Sequence, residues 1–128
     1  MSTAHQTYVA VVDNDESVCR SLSRLLRASG IQTVTYLAAE AFLADTKQPQ
    51  FDCLVFDIQL IGMSGIELHR QLNSSGSTIP VIYITAYDEP ATREEAQAAG
   101  CAAYFRKTDS GADVLAAIRR AIDPEKLT

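Results

Sequence analysis

Cys53-Leu54-Val55-Phe56-Asp57-Ile58-Gln59-Leu60 decides how this chain is read. Its first four residues are apolar, with β-branched and aromatic members, and suit a short buried strand. Asp57 stands where that strand gives way to a loop. Open α/β sheets place their chemistry just beyond the carboxyl ends of their strands, so Asp57 is a candidate site residue. Other apolar runs end in a similar way. Asp13, Asn14 and Asp15 follow residues 8–12, Thr85 follows residues 81–84, and Lys107 follows residues 102–105. A nucleophile, acidic metal ligands, a hydroxyl and an ammonium together suit phosphoryl transfer, which rests on positioning and charge neutralisation.

Working outward, the hydrophobic pattern alternates between two periods. Runs at 8–12, 32–36, 53–56, 81–84 and 102–105 read as strands. The segments between them carry helical spacing. Val18, Leu22, Leu25 and Leu26 form one face, begun by Asp15 as N-cap and stopped by Gly30. Residues 38–44 make a short helix, with Pro49 beyond its end. Ile66, Leu68 and Leu72 mark a third helix, closed by Gly76. Residues 90–99 form an alanine-rich fourth, with Pro90 in its first turn and Gly100 as its stop. Val114, Leu115, Ile118 and Ile122 mark a fifth, before Pro124. Five strands alternating with five helices predict an α/β domain with a parallel sheet covered on both faces. Strands one and three, the most continuously apolar, are expected at its centre.

With 128 residues the chain is expected to be one domain, 1–128, with a core at about 8–122 and a tail or linker root at 123–128. Hydrophobic residues make up 47% and charged ones 21%, the balance of a globular rather than a disordered chain. A net charge of −5 argues against direct, non-specific nucleic-acid binding, which requires neutralising phosphates. Cys19, Cys53 and Cys101 are scattered, an odd set that suits reduced, mostly buried thiols. No apolar stretch approaches the roughly 18 residues of a membrane span, and residues 1–7 lack the pattern of a signal peptide. A cytoplasmic protein, not a membrane protein, is the expectation.

In a doubly wound sheet the loops after strands one and three meet at the switch point, so Asp13, Asp15 and Asp57 are expected to converge. Such carboxylates repel unless a hard cation joins them. Mg²⁺ suits the place, because it takes one or two carboxylates together with waters and phosphate oxygens. The plainer alternative is that Asp13 and Asp15 only cap the first helix. Lys107 can pair with carboxylates at rest and with a phosphoryl oxygen after transfer. The Thr85 hydroxyl and the backbone N–H of Ala86 offer further donors. Arg20, Arg24 and Arg27 form a basic stripe on the first helix, read either as a solvated face or as a docking edge for a phosphodonor. His5 and His69 read as isolated, with no partners at ligand spacing, and neither is read as catalytic.

These residues resemble the receiver domains of two-component response regulators over about 8–122. The motifs are Val11-Val12-Asp13-Asn14-Asp15, the stretch from Asp57 to Leu68, Pro80 to Thr85-Ala86, and Ala99-Gly100 to Lys107. The resemblance implies a flavodoxin-like three-layer fold with strand order 2-1-3-4-5. It implies Asp57 as phosphoacceptor, Asp13 and the position of Asn14 as the acidic pair, and Lys107 as the family's lysine. Thr85 would be the switch hydroxyl and Tyr104 the switch aromatic, with the backbone of Gln59 and Ala86 at the phosphoryl group. Mg²⁺ would be held by Asp13, Asn14, Asp57 and the Gln59 carbonyl. The partner would be a histidine kinase or phosphotransfer protein. Phosphorylation-linked homodimerisation and a DNA-binding output domain outside this chain go with that reading, as does a surface change in helix four, strand five and helix five.

Three positions depart from the family pattern. Asn14 replaces the second acid, so weaker Mg²⁺ binding is expected. Ile61 stands four residues after Asp57 where proline is usual. Thr108 follows Lys107 where proline is usual, and a trans Lys107–Thr108 bond is expected, since a non-proline cis bond costs about 2.5–4 kcal/mol. Two rival readings use the same residues. One is a degenerate receiver that works as an interaction module without phosphate. The other follows the similarity of Asp13-Asn14-Asp15-Glu16-Ser17-Val18 to the signature of haloacid-dehalogenase-type phosphatases. There Asp13 would be the nucleophile and Asp15 the general acid, which leaves Asp57 without a role.

Overall fold

The computed structural model describes residues 6–123. His5, Pro124 and the tail beyond Asp123 lie outside the described residues. Five strands alternate with five helices: β1 Tyr8–Val12, α1 Glu16–Ala28, β2 Gln32–Tyr36, α2 Ala39–Ala44 and β3 Cys53–Asp57, then α3 Gly65–Ser74, β4 Val81–Thr85, α4 Pro90–Ala98, β5 Ala103–Arg106 and α5 Gly111–Ile122. All pairings are parallel, and the sheet order is β2-β1-β3-β4-β5, as expected for a flavodoxin-like fold. β3 is the middle strand. β1 lies inside the sheet as expected, but β4, buried along its whole length, flanks β3 on the other side.

The period of two along each strand divides the core into two layers. Ala10, Val12, Leu54, Phe56, Val81 and Tyr83 face α2, α3 and α4, where Phe42, Phe51 and Leu68 complete the packing. Val9, Val11, Cys53, Val55, Ile82 and Ile84 face α1 and α5, meeting Cys19, Leu22, Leu26, Val114 and Ile118. Each such buried aliphatic side chain stabilises the fold by about 1.5–3 kcal/mol relative to exposure. The three cysteines are free, and Cys19 and Cys53 are buried.

Local signals set the helix ends near the site. The Asp15 carboxylate accepts the Ser17 N–H at 2.9 Å and caps α1. Ser64 and Glu67 form a reciprocal capping box at the start of α3. Gly65 fits there for a steric reason: a Cβ at this position would come within 2.2 Å of the Asp57 carbonyl oxygen. Any other residue would push α3 away from the end of β3. Gly62, with φ +85°, turns the preceding loop, and Glu40 of α2 accepts the Met63 N–H at 2.9 Å.

Two expectations change. His69 is not isolated: it is buried, and its Nδ1 lies 2.7 Å from the Tyr83 hydroxyl. Burial lowers its pKa, which suits a neutral core histidine. The basic stripe is also divided, because Arg27 donates to the Thr33 carbonyl at 2.9 Å and ties α1 to β2. Arg20 and Arg24 remain on an exposed face.

Candidate functional site

Strand register alone brings the two key acids together. Val12 pairs with Phe56 in adjacent parallel strands, so Asp13 and Asp57 are the next residues along each. Both continue the series of side chains pointing to the α1 and α5 layer. Asp13 is 0% and Asp57 1% exposed. Two buried carboxylates side by side need a counter-charge. β5 supplies it at the next turn of the sheet edge: the Lys107 N–H donates to the Thr85 carbonyl at 2.8 Å, which aims the lysine inward. Its Nζ lies 3.0 Å from Asp57 Oδ2, and 3.2 Å and 3.1 Å from Asp13 Oδ1 and Oδ2. The Lys107–Thr108 peptide is trans, as expected.

The remaining contacts are backbone donors. Asp57 Oδ1 accepts the Gln59 N–H at 3.0 Å, and Asp13 Oδ1 accepts the Asp15 N–H at 2.8 Å. Asp13 Oδ2 is buried and makes no hydrogen bond, although the ammonium is close. Burial pushes the Asp57 carboxyl up to about 6, and the Asp13 charge adds to the rise. Lys107 and the Gln59 N–H pull the other way without offsetting it. Burial alone would lower the Lys107 pKa, but its contacts with Asp57 and Asp13 leave it raised. The pocket therefore holds two acids on one base, with an excess of negative charge.

That excess, the orphaned Asp13 oxygen and the all-oxygen donor set fit a hard divalent cation. Asn14 is exposed on the same loop, and Asp15 is turned away to cap α1. Among the described residues no three His, Cys, Asp or Glu side chains form a metal-holding group. The site is built around two carboxylates.

Thr85 ends β4, fully buried, but its hydroxyl makes no hydrogen bond with Asp57. Its Oγ1 lies 2.6 Å from Gln59 Oε1 and 3.0 Å from the Tyr87 carbonyl, and it accepts the Tyr87 N–H at 3.0 Å. Ala86 opens the exposed loop that follows. Tyr104 sits on β5 beside Tyr83, its ring capped by the Arg93 guanidinium at 4.4 Å. Arg93 is held in turn by Asp88 through both carboxylate oxygens, at 3.0 and 3.3 Å. The Tyr104 hydroxyl is buried, and burial followed by the Asp88 charge raises its pKa.

The structure thus gathers Asp13, Asp57, Lys107 and the Gln59 backbone into one pocket, and places Thr85 and Tyr104 beside it. Sequence reasoning missed the Gln59 side chain on Thr85 and the Arg93–Asp88 clamp on Tyr104. Nothing in local spacing signals either.

A parallel five-stranded sheet of this order, with acids ending β1 and β3 and a lysine ending β5, defines a receiver-type domain. The chain belongs to the response regulator receiver domain family, which it matches over residues 9–119. It is 33% identical to the response regulator protein TmoT of Ectopseudomonas mendocina, over 91% of this chain and 53% of that protein. It is also 33% identical to the transcriptional regulatory protein FixJ of Azorhizobium caulinodans, over 89% and 54%. The chain spans about half the length of these curated relatives. The solved structure of FixJ-N superposes with a TM-score of 0.84 at 32% identity, covering 94% of this chain and 96% of that one.

Proposed function

We propose that this domain is a phosphorylation-activated switch of a two-component system, with Asp57 as phosphoacceptor. The observation that carries the reading is the contact of Lys107 Nζ with both Asp57 and Asp13 in a buried, acid-rich pocket. A structural ion pair needs one acid; the second leaves negative charge in excess and an oxygen unsatisfied. The phosphodonor would be a phosphohistidine on a histidine kinase or phosphotransfer protein. An Asp57 oxygen attacks phosphorus, the P–N bond breaks, and its electron pair leaves with the imidazole, which takes a proton from solvent. Lys107 stabilises the charge gathering on the phosphoryl oxygens, as the Gln59 and Ala86 backbone would.

Asp13, Asn14, Asp57 and the Gln59 carbonyl would hold Mg²⁺. Bound there, it would supply positive charge for the phosphoryl oxygens. The product carries about −1.5 to −2 charges, by analogy with other phosphorylated side chains. Thr85 then turns toward it, and Tyr104 follows into the space released. That change biases the α4, β5 and α5 surface between two states. A homodimer and a DNA-binding output domain outside this chain fit the reading, supported by transcriptional regulators among the relatives. No described helix is long and apolar enough to cross a membrane.

Labelling with acetyl phosphate tests the assignment. Asp57→Ala is expected to abolish incorporation, while Asp13→Ala retains Asp57 as the labelled residue at a lower level. Full labelling in Asp57→Ala, with loss in Asp13→Ala, would transfer the nucleophile to Asp13 and the reading to the phosphatase class.

A further inference from the structure

Gln59 touches both halves of the site. Its backbone N–H donates to Asp57 Oδ1 at 3.0 Å, while its side-chain Oε1 lies 2.6 Å from Thr85 Oγ1. A threonine hydroxyl has one proton to give and two lone pairs to receive with. The Thr85 oxygen already accepts the Tyr87 N–H, and its proton faces two acceptors, Gln59 Oε1 at 2.6 Å and the Tyr87 carbonyl at 3.0 Å. The shorter contact takes it. Thr85 is also fully buried, so no water competes for that proton. Its one proton is therefore taken, and no hydrogen bond of the Thr85 side chain is directed at Asp57.

We propose that the Gln59 side chain is a positioning residue that holds the Thr85 hydroxyl away from Asp57 at rest. The Thr85–phosphoryl bond then forms only in exchange for the Gln59–Thr85 bond. The inference rests on the reading of Asp57 as phosphoacceptor and assigns the neighbouring amide a separate part in it. One residue thereby couples the two events. Its backbone stays on Asp57 throughout, while its side chain releases Thr85 as the phosphoryl group arrives. The latch sets how much of the binding energy of the phosphoryl group goes into moving Thr85. Its strength is that of one neutral buried hydrogen bond, which a single substitution can remove without disturbing the Asp57 contact.

Gln59→Met keeps the length of the side chain and the backbone N–H but removes the acceptor. Gln59→Glu keeps an acceptor. Two measurements on the full chain read the latch. The first is hydrogen exchange at the Tyr87 amide in the resting protein, free of metal and phosphoryl mimic. Gln59→Met is expected to exchange about threefold to tenfold faster, and Gln59→Glu to restore protection to within about twofold. The second is the affinity for beryllofluoride with Mg²⁺. Gln59→Met is expected to bind about threefold to tenfold tighter, and the gain is expected to vanish in a Thr85→Ala background. Unchanged exchange at Tyr87 overturns the latch, as does an equal gain in the Thr85→Ala background. A wild-type protein that takes up beryllofluoride, with no gain in Gln59→Met, overturns the latch and leaves the phosphoacceptor standing. A wild-type protein that takes up none overturns the phosphoacceptor and the exchange step together, and Tyr87 exchange still decides whether Gln59 holds Thr85.

Discussion

The acidic pocket and the Thr85–Tyr104 region lie side by side along one sheet edge, yet they are held by different forces. In the pocket, strand register places Asp13 against Asp57, and Lys107 is fixed by its own backbone bond to Thr85. Charge is buried there, and displacement of Lys107 leaves both acids unpaired. Around Thr85 and Tyr104 the contacts are one side-chain amide, one loop residue and an exposed Arg93–Asp88 pair. Each of these is weak. The difference teaches that the pocket is built to stay while the region beside it is built to rearrange. On the proposed reading, a phosphoryl group arriving at the rigid side would meet its charges already in place, and the energy released would go into the soft side.

Breaking the rigid side has the largest effects. Lys107→Ala removes the ammonium that contacts both acids and, on the proposed reading, would face the transferred oxygens; acetyl-phosphate labelling of Asp57 is expected to slow by about 100-fold. Labelling within about twofold of wild type contradicts the electrostatic role of Lys107. Asp57→Asn comes next, read as stability rather than activity. With a carboxyl pKa raised from the ordinary value to about 6, the folded state binds more protons than the unfolded state between those two values. Stability therefore falls as pH rises through that window. Asp57→Asn is accordingly expected to be more stable than wild type by about 3 kcal/mol at pH 8, with the gap closing near pH 4. Urea denaturation at the two pH values measures it, and a variant less stable at pH 8 breaks the argument.

Asn14→Asp restores a second acid beside Asp13. Mg²⁺ affinity by calorimetry is expected to rise about tenfold, at some cost in metal-free stability from added repulsion. No gain in affinity would mean that residue 14 points away from the cation. The smallest effect belongs to the soft side. Arg93→Ala uncaps the Tyr104 ring, and beryllofluoride affinity is expected to change by about twofold to fivefold while Asp57 labelling chemistry stays intact. A change as large as that of Lys107→Ala would erase the distinction between the two regions.

Much of this site was legible in the sequence because the period of a strand is local. Once residues 8–12 and 53–56 are strands in one sheet, the acids after each fall on the same edge, and Asp57 and Lys107 needed only chain order to be placed. The capping role of Asp15 was equally local. What escaped were contacts joining residues on different elements. Gln59 and Thr85 are 26 positions apart, and His69 and Tyr83 are 14 apart; both depend on how the layers pack. The family pattern points to the backbone of Gln59, and nothing local signals the contact of its side chain with Thr85. Arg27 looked like part of a surface stripe until the β2 carbonyl of Thr33 gave it a partner.

Amide spectra recorded while beryllofluoride and Mg²⁺ are titrated into the protein test the central claim most directly. The account predicts saturable one-to-one uptake that requires both components and Asp57. The Gln59 amide should shift together with those of Thr85, Tyr87 and Tyr104, the soft side following the rigid one. No uptake at millimolar Mg²⁺ would contradict the account and make the domain an interaction module that works without phosphate.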